Sequence, residues 1–139
     1  GGIMDGRGIA AALALGADAA QMGTAFLTTD ESGISDAYKA VLPATRSEQS
    51  RVTRAISGRP ARGISNAFMR DADAIGADIL PYPLQNALTR PMRTAGGKAG
   101  NINVLSLWAG QAAPLARRES TADLVQRLVR ETQAAQSRR

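Results

Sequence analysis

Gly1-Gly2-Ile3-Met4-Asp5-Gly6-Arg7-Gly8 opens the chain, and Gly16-Ala17-Asp18-Ala19-Ala20-Gln21-Met22-Gly23-Thr24 follows after the alanine-rich run Ile9 to Leu15. This stretch decides the fold. Glycine permits positive φ and lets bare backbone N–H groups approach an anion closely, so two neighbouring glycine turns suit a phosphate. Asp5 is placed to cap a helix whose apolar positions Ile9, Ala12, Leu13 and Gly16 follow the i, i+3, i+4, i+7 rule, with Gly16 ending it. Ala19 to Met22 then reads as a brief buried strand that stops at Gly23-Thr24. Turn, helix, strand, turn is the order of one repeat of an α/β barrel, where ligands sit at the loops after the C-terminal ends of strands. Because the chain starts at the first of these turns, without an initiating Met or a preceding strand, it reads as the C-terminal piece of a larger protein.

The composition narrows the chemistry. A chain of 139 residues with 44% hydrophobic content is of ordinary single-domain size. It has no Cys and no His. That removes a disulfide framework, a thiolate nucleophile, an imidazole base and a zinc site, and no metal is expected. Chemistry must come from a cofactor, from carboxylates, or from residues outside this sequence. Apolar stretches fall short of the roughly 20 residues that span a bilayer, and no signal-peptide pattern is visible, so a cytoplasmic location away from membranes is expected.

The net charge of +5 is uneven. Residues 1–45 carry −3, residues 46–70 carry +5, residues 71–114 are neutral and residues 115–139 carry +3. The series Arg46, Arg51, Arg54, Arg59, Arg62 and Arg70 meets no aromatic residue until Phe68. A stacking platform for bases is therefore not supported, and no nucleic-acid partner is expected. A solvated face, with one or two arginines anchoring loops or meeting an anionic ligand, is the favoured reading.

Downstream, Ser35 can cap a helix carrying Ile34, Tyr38, Val41 and Leu42 on one side and stopped by Pro43. Arg51 to Ile56 alternates weakly as a strand, and Ser57-Gly58-Arg59-Pro60-Ala61-Arg62-Gly63 reads as a turn. Phe68, Ala72 and Ile75 fall at helical spacing in Asn66 to Ile75. Pro81, Pro83 and Pro91 break the chain around a short helix, Leu84 to Leu88. Gly96-Gly97-Lys98-Ala99-Gly100 reads as a glycine-rich loop that leads Val104 to Gln111 toward the site. Ser120 and Asp123 start a C-terminal helix bearing Leu124, Val125, Leu128, Val129 and Thr132, and Gln136 to Arg139 are expected to fray.

The run Gly1 to Leu27, taken with Ser57 to Gly63, Leu80-Pro81-Tyr82-Pro83-Leu84-Gln85-Asn86 and Trp108-Ala109-Gly110-Gln111, resembles the C-terminal part of a nitronate monooxygenase, formerly called 2-nitropropane dioxygenase. The resemblance covers nearly the whole chain. Its start and its Gln21-Met22-Gly23-Thr24 run are shared with other FMN barrels, whereas the three later segments narrow the choice to this family. It implies an α/β fold: the C-terminal part of an FMN-type TIM (β/α)8 barrel joined to a mostly helical region. Residues 1–32 would end the barrel, 33–95 would form the helical segment, and 96–139 a flavin-side loop and the last helix.

The implied reaction is FMN-dependent oxidation of alkyl nitronates by molecular oxygen to carbonyl compounds and nitrite, with the small nitronate and oxygen as partners. Gly1, Gly2, Gln21, Met22, Gly23 and Thr24 match the family's FMN contacts. The physical reading agrees, since N–H groups of Gly23 and Thr24, the Thr24 hydroxyl and the Gly1-Gly2 turn can converge on a phosphate without a lysine. Asp5 is left to its helix cap. Lys98 and Gln111 are candidates for the substrate side, against loop anchoring. Trp108 either walls the flavin or fills core, and Tyr82 either faces a ligand or packs its loop. The family's usual acid/base is a histidine that precedes this segment, so no catalytic residue is assigned here. Two other readings stay open: a flavin-dependent enoyl-acyl-carrier-protein reductase, and a non-catalytic phosphate-binding fragment. An IMP dehydrogenase type shares the glycine turn but fits the later segments poorly.

Overall fold

The structure, a computed structural model, describes residues 1–137, so Arg138 and Arg139 of the expected frayed end lie outside the described residues. Six α-helices, three short 3-10 helices and a two-stranded antiparallel sheet make up the regular structure of that range. Helix α1 (Gly6–Ala14) begins where Asp5 Oδ1 accepts the Gly8 N–H at 2.9 Å. Helix α2 (Thr24–Leu27) is a single turn, and α3 (Asp36–Ala44) is capped by the Ser35 hydroxyl. Strands β1 (Ser50–Thr53) and β2 (Ala61–Ile64) pair with Ser50 opposite Ile64 and Thr53 opposite Ala61. Helices α4 (Ala67–Ala74), α5 (Leu84–Ala99) and α6 (Thr121–Gln136) complete the order, with Asn66 and Ser120 capping α4 and α6.

The core joins the N-terminal loop to the C-terminal third. Met4, Ala25, Tyr38, Leu42, Ile64, Leu105, Leu107, Ala109, Leu124 and Leu128 are buried together. Helices α1 and α6 cross closely at Gly6. A Cβ built there would lie 2.3 to 2.6 Å from the backbone and Cβ of Glu131 and Thr132, so only glycine fits. The Gly6 N–H donates to Glu131 Oε2 at 2.9 Å, and Arg127, 12% exposed at its side chain, bonds both Glu119 and Glu131. Of the apolar residues read on α6, Leu124 and Leu128 are buried, whereas Val125 and Val129 remain about half exposed.

Several expectations need correction. Ala19 to Met22 is not a strand: among the described residues no neighbour pairs with it, and a strand exists only by its ladder. The Ser57 to Gly63 segment is not all turn, because Ala61–Ile64 forms β2. There Gly63 is a point of close approach, where a Cβ would meet the Leu107 carbonyl oxygen at 2.9 Å. That approach lets Ile64 N–H reach Leu107 O at 2.8 Å and Ala109 N–H reach Arg62 O at 3.2 Å.

The helix at Leu84 does not stop at Leu88 but runs through Pro91 to Ala99. Tertiary contacts hold it: Gln85 Nε2 donates to Ala55 O at 2.5 Å, and Thr89 Oγ1 donates to Ile56 O at 2.7 Å. Around the proline, Arg93 bonds back to Asn86 O at 2.9 Å. Consequently Gly96 to Ala99 belong to the last turns of α5 rather than to a loop, and Gly100 caps them in the left-handed conformation at φ 64°. Residues 33–95 carry the hairpin as well as helices. Ile75, read at helical spacing with Phe68 and Ala72, caps the end of α4 and is 78% exposed. No helix among the described residues is long and apolar enough to cross a membrane.

Candidate functional site

A cleft of about 550 Å³ opens where the two glycine turns meet the loop before the last helix. Gly1, Gly2, Gly23 and Thr24 line it together with Leu27, Arg62, Trp108, Ala109, Gly110 and Gln111. Local sequence explains each part. Gly2 adopts φ +80° and so turns the chain where a side chain would be strained. Gly23 and Thr24 begin α2, where the first N–H groups have no carbonyl of their own helix to bond.

Residues 108–110 are held from three directions. Tyr38 Oη donates to Trp108 O at 2.5 Å, Ala109 N–H donates to Arg62 O, and Gly110 N–H donates to Thr24 Oγ1 at 3.0 Å. The Thr24 oxygen therefore accepts from the loop, and its own proton is the one left to donate outward. Gly110 also faces the first turn, since a Cβ there would sit 3.5 Å from Gly2 N. Burial pushes the Tyr38 phenol well above its ordinary value, so Tyr38 is a fixed donor at any physiological pH.

The cleft suits an anion. Cβ atoms built at Gly1, Gly2 and Gly23 meet nothing within 4 Å, so the glycine edges face open space that side chains would otherwise occupy. Arg62 supplies positive charge, and Leu27 and Trp108 supply apolar wall. The cleft is thus mostly apolar, with neutral N–H groups and one hydroxyl along its glycine edge and one arginine in its lining.

Of the residues singled out from the sequence, Gly1, Gly2, Gly23, Thr24 and Gln111 come together here, and Trp108 stands in the wall. Gln21 and Met22 do not line the cleft. Gln21 is exposed, and Met22 packs partly buried against the core. Lys98 lies exposed in the last turn of α5 and is not in the cleft either. Tyr82 has Arg59 stacked over its ring at 4.5 Å. Arg62 and Leu27 also line the cleft, and the sequence does not single them out. Arg62 sits within a run of six arginines, and nothing in the sequence separates it from Arg46, paired with Glu48, or Arg51, paired with Asp73.

The family model described as nitronate monooxygenase matches residues 1–131. The chain is 47% identical over 132 residues to a nitronate monooxygenase of Pseudomonas aeruginosa, covering 94% of this chain and 38% of that protein. It is 41% identical over 138 residues to a probable nitronate monooxygenase of Staphylococcus saprophyticus, covering 99% and 39%. Among solved structures, nitroalkane oxidase from Streptomyces ansochromogenes superposes with a TM-score of 0.91 at 45% identity, over 99% of this chain and 39% of that one. FabK from Thermotoga maritima gives 0.80 at 30% identity, over 99% and 44%. The chain thus spans about two fifths of the length of the curated relatives it matches.

Proposed function

The chain belongs to the nitronate monooxygenase family, and from that premise we propose that its cleft is part of an FMN site in an enzyme that oxidises alkyl nitronates with molecular oxygen to carbonyl compounds and nitrite. The observation that carries this reading is the meeting of the Gly1-Gly2 and Gly23-Thr24 turns in one cleft beside Arg62 and Trp108. In this reading the two turns lie at the mouth of an FMN-type α/β barrel, and the protein works in the cytoplasm.

When bound, FMN supplies the electron transfer between nitronate and oxygen. The residues of this chain bind and orient. N–H groups of Gly23 and Thr24 and the outward proton of the Thr24 hydroxyl hold phosphate oxygens. Gly2 and Gly110 keep the floor free of side chains, so that backbone rather than Cβ faces the anion. Trp108 walls the cleft and excludes water, its backbone fixed by Tyr38. Gln111, exposed at the rim, faces the substrate side. No imidazole in this sequence can move a proton, so the part given to these residues is to bind and position.

The test is turnover by the full-length protein loaded with FMN. Release of nitrite with oxygen uptake on addition of an alkyl nitronate is expected. Rapid oxidation of a nicotinamide cofactor with no nitrite would replace this reading by the reductase that the sequence left open.

A further inference from the structure

We propose that Arg62 is the cation of the phosphate end of the cleft, neutralising the charge that the glycine turns hold through neutral N–H groups. The inference rests on the flavin reading above and adds to it the source of charge. A phosphate monoester carries close to two negative charges near neutral pH. Backbone N–H groups and a hydroxyl orient such a group but leave its charge uncompensated. Among the described residues lining the cleft, Arg62 is the sole residue with a charged side chain.

Its surroundings leave that charge available. Arg62 Nη1 donates to Ser50 O at 3.0 Å and to Ser50 Oγ at 3.3 Å, across the β1–β2 ladder. These partners are a carbonyl and a hydroxyl, so they aim the guanidinium without cancelling it. No carboxylate pairs with Arg62 among the described residues, whereas Arg46, Arg51, Arg118 and Arg127 each meet an Asp or Glu. Nε and Nη2 make no hydrogen bond within the described chain, and two adjacent N–H groups of this kind match a phosphate in fork geometry.

Arg62 is also tied to the phosphate donors through backbone. Its carbonyl accepts the Ala109 N–H, and the next residue, Gly110, donates to Thr24 Oγ1. Thr24 and Arg62 are thereby linked through two consecutive residues of a single loop. A nitronate is likewise an anion, but Arg62 shares its loop contacts with the glycine and threonine donors, which favours the phosphate.

Comparison of FMN with riboflavin, which lacks the phosphate, decides the matter. Each flavin is titrated into the flavin-free full-length protein and binding is followed by flavin fluorescence. Arg62→Met is expected to weaken FMN roughly ten- to a hundredfold and to leave riboflavin unchanged, as for loss of a charge-assisted hydrogen-bonded pair. Arg62→Lys, which keeps the charge but not the fork, is expected to fall between. Should Arg62→Met fail to fold, the wild type still answers, because its FMN affinity should drop with added salt far more than its riboflavin affinity.

Equal weakening of both flavins, unchanged FMN affinity with a raised KM for nitronate, or an FMN affinity no more salt-sensitive than that of riboflavin would each overturn the proposal. A wild-type protein that binds neither flavin would overturn the flavin reading itself, and this inference with it. A wild type that binds FMN while Arg62→Met binds it equally well overturns only the role of Arg62.

Discussion

Tyr38 on α3 donates its phenolic hydrogen to the backbone carbonyl of Trp108 at 2.5 Å, across 70 positions of sequence. This bond ties a buried helix to the loop that closes the cleft, and Thr24 ties the same loop to the glycine turns two residues later. The backbone of residues 108–110 is therefore held by two side chains, Tyr38 and Thr24, and by the bond from Ala109 N–H to the Arg62 carbonyl.

Tyr38→Phe removes that donor and leaves a carbonyl without its partner. The expected loss is about 1 to 2 kcal/mol of stability, read by urea unfolding, with weaker FMN binding. Thr24→Val should weaken FMN through both the lost acceptor for Gly110 and the lost hydroxyl donor, while Thr24→Ser should restore both. Equal FMN affinity in Thr24→Val and wild type would contradict the role given to this hydroxyl.

The glycines divide into two kinds. Gly6→Ala forces a methyl into the Glu131 and Thr132 backbone and is expected to cost about 1 to 3 kcal/mol or more. A Cβ at Gly23 meets nothing within 4 Å, so Gly23→Ala should leave stability almost unchanged while lowering flavin affinity. Thermal unfolding of the flavin-free variants, set beside their FMN titrations, separates the two effects.

Acid should loosen the α1–α6 junction. The Gly8 N–H, against the cost of burial, and Arg7 hold the Asp5 carboxyl below its ordinary value of 3.8. Burial opposes charge on Glu131, but the Gly6 N–H and Arg127 outweigh it and keep that carboxyl below 4.5. Folded values lower than unfolded ones mean that the unfolded chain binds more protons. The contribution is thus complete above the ordinary carboxylate values and is lost as pH falls through the depressed ones. Unfolding midpoints followed from about pH 7 to about pH 3 should fall at the acid end, and Glu131→Gln should flatten that fall.

The two substrate-side candidates should now behave differently. Gln111→Ala is expected to raise the KM for nitronate with the protein still folded. Lys98→Ala, at the far end of α5, is expected to change neither KM nor flavin affinity, as steady-state kinetics of both variants will show.

Local signals in the sequence marked what local chemistry decides. Asp5, Ser35, Asn66 and Ser120 each begin a helix because a short polar side chain followed by an apolar period is sufficient for a cap. The two glycine turns were legible for the same reason. What escaped depends on partners distant in sequence. Helix α5 survives Pro91 because Ala55 and Ile56 accept bonds from Gln85 and Thr89, and β2 exists because Ser50–Thr53 pairs with it while Gly63 admits Leu107 on its other side. The strand read at Ala19 to Met22 had the composition but no neighbour to pair with among the described residues. Arg62 was hidden by its like-charged neighbours, and its place in the lining of the cleft is what sets it apart from them.

The most direct test of the central claim is the visible spectrum of the purified full-length protein, recorded without oxygen before and after an alkyl nitronate is added. The account predicts a flavin spectrum, FMN released on denaturation, and bleaching by the nitronate that oxygen reverses. A protein that lacks flavin and cannot be reconstituted with FMN, or one whose flavin a nicotinamide cofactor bleaches and a nitronate does not, would contradict it.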